Sequence, residues 1–233
     1  MGTLYLVSTP IGNLEDITIR ATKALTDADM ILSEDTRRTG LLLRELKIRR
    51  AQHLVRFDEQ MEQNGTPQVM EWLDEGKTVA LVSDAGTPLI SDPGFVLVRE
   101  AIKRGIPVVS IPGPSAILAA LTSSGLPPQP FMFLGYPPEK QSHRTKLFGN
   151  LFQCFKTLEQ NPTIIFYCAP HKLIQTLLDM KEVFGDIAIV VARELTKVHE
   201  ELWRGKISEA ITYFQIPKGE FVLLFRIVKS LTP

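Results

Sequence analysis

Three turn-rich segments hold the residues best suited to grip a small ligand. They are TPIGN (9–13), SDAGTPLISDPG (83–94) and PGPSA (112–116). Gly86, Gly94 and Gly113 permit close backbone approach, and the prolines stiffen each loop. Backbone N–H and C=O groups would then be the main ligand contacts. The second segment carries Asp84 and Asp92 but no Lys or Arg. A loop built for phosphate should present a Lys, as in G-x-x-x-x-G-K-[ST], and no G-x-G-x-x-G appears either. Such loops suit a cofactor with amino, ribose or cationic groups better than a polyphosphate. One of them alone would pass for an ordinary strand-to-helix turn. Three together favour a site.

A fourth feature is EDTRR (34–38), where Glu34 and Asp35 end an apolar run. Either Asp35 or Thr36 would cap the following helix well. The same position would also set a carboxylate and Arg37 beside a substrate, and spacing leaves both readings open. Further along, FYCAPHK (166–172), ARELTKVHEELWRG (192–205) and PKGEF (217–221) join predicted elements. Arg193 and Glu194 follow the run IAIVVA, as a structural ion pair or as part of a site.

The elements that must position these loops follow from hydrophobic rhythm. Strands are predicted at 3–8, 30–33, 53–57, 78–83 and 107–111, and helices at 18–27, 36–46 and 66–75. A further helix should start at Pro93 with Asp92 as its cap and end at Gly105. Alternation of strand and helix implies parallel βαβ units, whose ligands bind at the carboxyl ends of the strands. The second half begins with an apolar helix from Ser115 to Gly125 and the connector LPPQP (126–130). Strands fit 131–135, 162–167, 186–192, 199–204 and 219–228, and the short spacing of the last three suggests antiparallel pairing. The reading is an α/β protein of two subdomains, 1–113 with a mostly parallel sheet and 114–233 with a mixed sheet.

Composition excludes several classes. The 26 Lys and Arg balance 26 Asp and Glu among 233 residues, which argues against a uniformly basic nucleic-acid binder. The charge is segregated, however. Thr36–Arg56 carries seven basic residues (Arg37, Arg38, Arg44, Lys47, Arg49, Arg50, Arg56) and one acid. Leu134–Thr157 carries four (Lys140, Arg144, Lys146, Lys156) and one acid. No apolar run reaches the roughly 18 residues that span a bilayer. The N-terminus lacks a basic n-region and reads as a strand rather than a signal peptide. Cys154 and Cys168 form no C-x-x-C, and the four scattered histidines show no metal spacing. A cytoplasmic protein with free thiols, no metal and no membrane partner is the expectation.

In their order, LVSTPIGNLEDIT, SEDTR, LVSDAGTPLISDPG, IPGPSA and ARELTK resemble one branch of the tetrapyrrole methylase family. That branch methylates the 2′-oxygen of a cytidine ribose in 16S ribosomal RNA. The resemblance covers nearly the whole chain, and PIGNL with EDTR separates this branch from the corrin and sirohaem methylases. It implies S-adenosylmethionine as cofactor, in the cleft between the subdomains. The implied contacts are Pro10, Asp84, Ala85, Gly86, Thr87, Ser115, Ala116, Tyr167, Ala169, Ala192, Arg193 and Gly219. Gly12, Asn13, Arg37 and Arg38 would face the RNA. The small ribosomal subunit is the implied partner, and a homodimer the implied assembly. Two departures stand out. RFDEQMEQN (56–64) occupies the place of an H-x-H-N-E segment, and the chain ends just past its last strand, where many members carry an extension.

Methyl transfer is an in-line displacement in which positioning supplies much of the acceleration, up to about 7–11 kcal/mol. The ribose hydroxyl must also lose a proton. The candidate catalytic residues are Asp35, then Glu34, as base, with Arg37 placing a phosphate. The basic cluster beside EDTR makes a phosphate-tracking surface, so RNA binding should weaken steeply with salt. Two alternatives remain. A small-molecule, tetrapyrrole-type methylase would not need that cluster. A catalytically impaired RNA- or ribosome-binding protein would bind no donor.

Overall fold

The computed structural model describes residues 1–48 and 53–227, which form two compact units, Met1–Ser115 and Ala116–Pro233. The first unit holds strands β1 (Thr3–Val7), β2 (Met30–Ser33), β3 (His53–Arg56), β4 (Thr78–Val82) and β5 (Val108–Ile111). They form one parallel sheet in the order β3-β2-β4-β1-β5. All of β2 and four of the five residues of β4 are buried, as expected of strands covered on both faces.

Period-two alternation divides each strand between two cores. Leu4, Leu32, Val79 and Leu81 pack under α3 (Glu59–Asp74) and α4 (Phe95–Lys103). Val7, Ile31, Ala80 and Val82 pack on the other face with α1 (Ile19–Asp27), and Leu43 of α2 (Thr36–Glu45) adds to them. The chain leaving β1 therefore turns to one face and the chain leaving adjacent β4 to the other. The crevice between two such diverging connections is where open α/β sheets receive ligands.

Two boundaries differ from expectation. Helix α3 begins at Glu59, capped by Asp58, rather than near 66. Gly65 and Pro67 are poor helix formers, yet burial of Thr66, Val69, Met70 and Leu73 carries the helix through them. Helix α4 begins at Phe95, so Pro93 precedes it, and Asp92 does not cap it. The Glu62 carboxylate from α3 takes that role, accepting the N–H groups of Gly94 (2.8 Å) and Val96 (2.7 Å). Gly94 has φ 130°, and a Cβ there would lie 2.6 Å from Leu81 Cδ2, so glycine is required.

The second unit holds α5 (Ala116–Ser124), β6 (Phe131–Phe133), α6 (Gln141–Thr157), β7 (Thr163–Cys168), α7 (Leu173–Phe184), β8 (Ala188–Arg193), β9 (Glu201–Lys206), α8 (Ile207–Tyr213) and β10 (Phe221–Phe225). Its sheet is mixed, in the order β6-β7-β10-β8-β9, with only β6 and β7 parallel. The expected antiparallel pairing of the last strands holds, but not as a simple meander. Helix α8 follows β9, and β10 inserts between β7 and β8. Phe221, Leu223 and Phe225 of β10 meet α6, α7 and α8 in an aromatic-rich core, while α5 packs on the opposite face.

Candidate active site

Strands β1 and β4 both end in Leu-Val-Ser, and their register pairs Val7 with Val82. Ser8 and Ser83 therefore emerge side by side, and both are buried. Beyond them the two loops cross-link. Thr9 N–H donates to the Gly86 carbonyl (2.8 Å), and Gly86 N–H returns to the Thr9 carbonyl (3.0 Å). The Ser83 hydroxyl donates to the Gly86 carbonyl at 3.2 Å. The Ser8 hydroxyl donates to Thr87 Oγ1 (3.2 Å), and Thr87 donates to the Pro114 carbonyl (3.3 Å). Segments 9–13, 83–94 and 112–116 are thus brought together at one edge of the sheet. At Gly113 an added Cβ would sit 2.9 Å from the Ser8 Cβ, so the third loop lies directly on the first.

The EDTR segment joins the same edge from β2. The Asp84 carboxylate accepts the Asp35 N–H (3.1 Å) and pairs with Arg38 (3.3 Å). Asp84 is therefore a tie between two loops as well as a ligand candidate. Asp35 caps α2 by accepting the Arg37 N–H (2.9 Å) and pairs with the Arg37 guanidinium at 2.8 Å. Those bonds hold its carboxyl well below the usual carboxylate range. Glu34 is the opposite case. Burial, then the charges of Asp84 and Asp58, push its carboxyl up, with Arg38 acting against them. Asp92 is pushed up to about 7, chiefly by burial and next by Glu34. This edge of the sheet is acidic and contains no lysine in segment 83–94.

Gly12 and Asn13 are exposed, and Asn13 caps the short turn Leu14–Asp16 by accepting the Glu15 N–H (3.0 Å). Pro10, Asp84, Thr87 and Ser115 are half-buried, Ala85 is exposed and Gly86 is buried. The 56–64 stretch performs structural work. Arg56 pairs with Asp58 (2.6 Å), Asp58 caps α3, and Glu62 anchors α4. The residues missed on the sequence alone are Ser8, Ser83 and Glu62. The repeated Leu-Val-Ser strand ending was the signal for the first two. Glu62 had none, because its partners lie over thirty residues away.

In the second unit, register again gathers the candidates. Val222 pairs with Tyr167 on one side and Ala192 on the other, and Phe221 pairs with Cys168 and Arg193. Tyr167, Ala169, Ala192, Arg193 and Gly219 thus cluster at one edge of that sheet, and Ala116 starts α5. Ala192 is fully buried. The Arg193 guanidinium is engaged by the Lys218 carbonyl (2.9 Å) and Glu201 (3.5 Å).

The two basic stretches fare differently. Arg37, Arg38 and Arg56 lie exposed at the acidic edge, each paired with a carboxylate. Arg49 and Arg50 lie outside the described residues. Arg144 does not belong to a surface. It is 2% exposed and bonds Asp179 (2.6 Å) and the carbonyls of Pro138 and Glu139 (3.0 and 2.9 Å). A buried guanidinium needs all its donors satisfied, and here the fold satisfies them internally. Among the described residues no group of His, Cys, Asp and Glu could hold a metal ion, and no helix is long and apolar enough to cross a membrane.

Residues 3–211 match the family of Tetrapyrrole (Corrin/Porphyrin) Methylases. A Thermotoga maritima protein named ribosomal RNA small subunit methyltransferase I is 45% identical over 227 residues, covering 96% of this chain and 98% of that one. Among solved structures, the methyltransferase CobJ superposes with TM-score 0.71 at 19% identity, over 97% of this chain and 95% of that one. A Thermus thermophilus uroporphyrin-III C-methyl transferase, complexed with S-adenosylhomocysteine, gives 0.64 at 17% identity, over 96% and 97%. Parallel and mixed sheets, loop motifs and near-full-length identity together place this chain in the tetrapyrrole methylase family, among the ribosomal RNA small subunit methyltransferases I.

Proposed function

We propose that this protein transfers the methyl group of S-adenosylmethionine to the ribose 2′-oxygen of a cytidine in 16S ribosomal RNA. The observation that carries the reading is the 45% identity, over 96% of the chain, to a ribosomal RNA small subunit methyltransferase I. The residues present fit the donor. An edge with no lysine in segment 83–94, built from main chain and bearing Glu34, Asp84 and Asp92, suits a cationic sulfur and an aminoacyl group better than a polyphosphate. Gly113 lets the third loop pack directly against Ser8, so the main chain of segments 9–13 and 112–116 lies side by side. When bound, the donor supplies a methyl group on a positively charged sulfur.

The donor contacts of this reading are Pro10, Asp84, Ala85, Gly86, Thr87, Ser115, Ala116, Tyr167, Ala169, Ala192, Arg193 and Gly219. Gly12, Asn13, Arg37 and Arg38 face the RNA, where the arginines exchange their carboxylate partners for phosphates. Of the two candidate bases, Glu34 is the better. Its raised carboxyl takes up a proton more readily than Asp35, which Arg37 holds ionised. Asp35 then caps α2 and orients Arg37. We further assign the protein to the cytoplasm as a homodimer, and sedimentation at micromolar concentration tests the assembly.

The decisive experiment adds this protein and donor to 30S subunits from a strain lacking the modification and maps ribose methylation. A single donor-dependent 2′-O-methylcytidine supports the reading. An unmodified subunit, with methylation of a free porphyrinoid instead, would establish the small-molecule alternative.

A further inference from the structure

The loop after β8 and the turn before β10 are joined by contacts that the donor assignment leaves unexplained. Glu194 (φ 49°) and Thr196 (φ 66°) both take the left-handed backbone that disfavours residues with a Cβ. The Glu194 carboxylate accepts the Glu220 N–H (2.8 Å) and pairs with Lys197 Nζ (3.0 Å). Lys197 also reaches the Glu220 carboxylate at 3.1 Å. The main chain adds Glu194 N–H to the Glu220 carbonyl (2.9 Å) and Lys197 N–H to the Glu194 carbonyl (3.0 Å). The Glu200 carboxylate accepts the Thr196 N–H. Gly219, at φ 97°, lies so close to Glu194 that an added Cβ would fall 2.5 Å from its Cγ.

We propose that Glu194 and Lys197 are positioning residues, a latch that holds turn 217–220 and the carboxyl end of β8 in the shape that receives the methyl donor. The inference rests on the assignment of Ala192, Arg193 and Gly219 to the donor under the proposed function. Left-handed non-glycine residues persist where their surroundings over-determine them, and they concentrate at functional sites. Here one ammonium sits between two carboxylates from different segments, and removing it leaves those carboxylates to repel. A turn held ready before binding reduces the ordering cost of binding. The latch touches no reacting atom, so its loss belongs in the donor KM and not in kcat.

The test combines calorimetry with S-adenosylhomocysteine, steady-state kinetics on 30S subunits, and melting of each unliganded protein. Glu194→Gln and Lys197→Met should raise the donor KM and the S-adenosylhomocysteine Kd about tenfold, with kcat at saturating donor within about twofold. The RNA KM should not move. Lys197→Arg keeps the charge between the two carboxylates and should restore the donor KM to within about twofold of wild type. Glu220→Gln alters a side chain that is 70% exposed, so it folds even if the others do not, and should give an intermediate rise. An unchanged donor KM in Glu194→Gln, Lys197→Met and Glu220→Gln, with or without a lower melting temperature, overturns the inference while wild type still binds S-adenosylhomocysteine. Wild type that binds none overturns the donor assignment, and the latch with it.

Discussion

Replacing Asp92 with asparagine should remove a pH dependence from the stability of the first unit. The Asp92 carboxyl is pushed up to about 7 by burial first, then by Glu34, with Ser83 acting against the shift and Asp84 adding to it. In the unfolded chain the same group titrates near 3.8. The folded state therefore holds more protons than the unfolded state between those values, and stability falls as pH rises through that window. The full gap corresponds to about 4 kcal/mol, at about 1.36 kcal/mol per tenfold change in proton affinity. Asp92 is only half-buried, and solvent screening should cut the measurable effect to about 1–2 kcal/mol. Asp92→Asn should thus be more stable than wild type by about that amount at pH 8, raising the midpoint by about 2–8 °C, and equal to it near pH 4. Urea and thermal melts from pH 4 to 8, followed by fluorescence of Trp72 on α3, measure the difference without donor. A difference between the two proteins that stays constant across this range would refute the reasoning, because titrating groups remote from Asp92 cancel in the comparison and the Glu34 charge enters only through its coupling to Asp92.

Other expectations are read more simply. Glu34→Gln should lower the single-turnover rate at saturating donor and RNA by about a hundredfold, the scale of a lost general base, while Asp35→Asn should cost far less; equal losses would remove the distinction. Asp84→Asn keeps an acceptor for the Asp35 N–H but loses the carboxylate charge assigned to the donor, so it should raise the donor KM about threefold, and Asp84→Ala, which also drops the loop tie, about tenfold, in calorimetric and kinetic assays. Asp179→Asn leaves Arg144 buried without its counter-charge and should destabilise the second unit by about 3–5 kcal/mol in urea melts.

Much of this architecture was legible in the residue order because its signals act over short distances. The apolar runs of β2 and β4, the cap Asp35, and Gly105 after α4 each depend on neighbours within a few residues. Given alternating strands and helices, loops 9–13, 34–38, 83–94 and 112–116 had to fall at the carboxyl ends of parallel strands. Tertiary structure decided which side chains those loops offer. Arg144 reads as one more surface cation until α7 supplies Asp179 and buries it. Asp35 reads as a base until Arg37 folds back on it and holds it ionised, while burial and Asp84 push the neighbouring Glu34 carboxyl up. The α4 cap passes from Asp92 to Glu62 because Gly94 packs on Leu81, and helix α3 runs through Gly65 and Pro67 because its apolar face is needed in the core. Propensity and capping are properties of a few consecutive residues. Burial, and the charge that survives it, belong to partners that only the folded chain brings within reach.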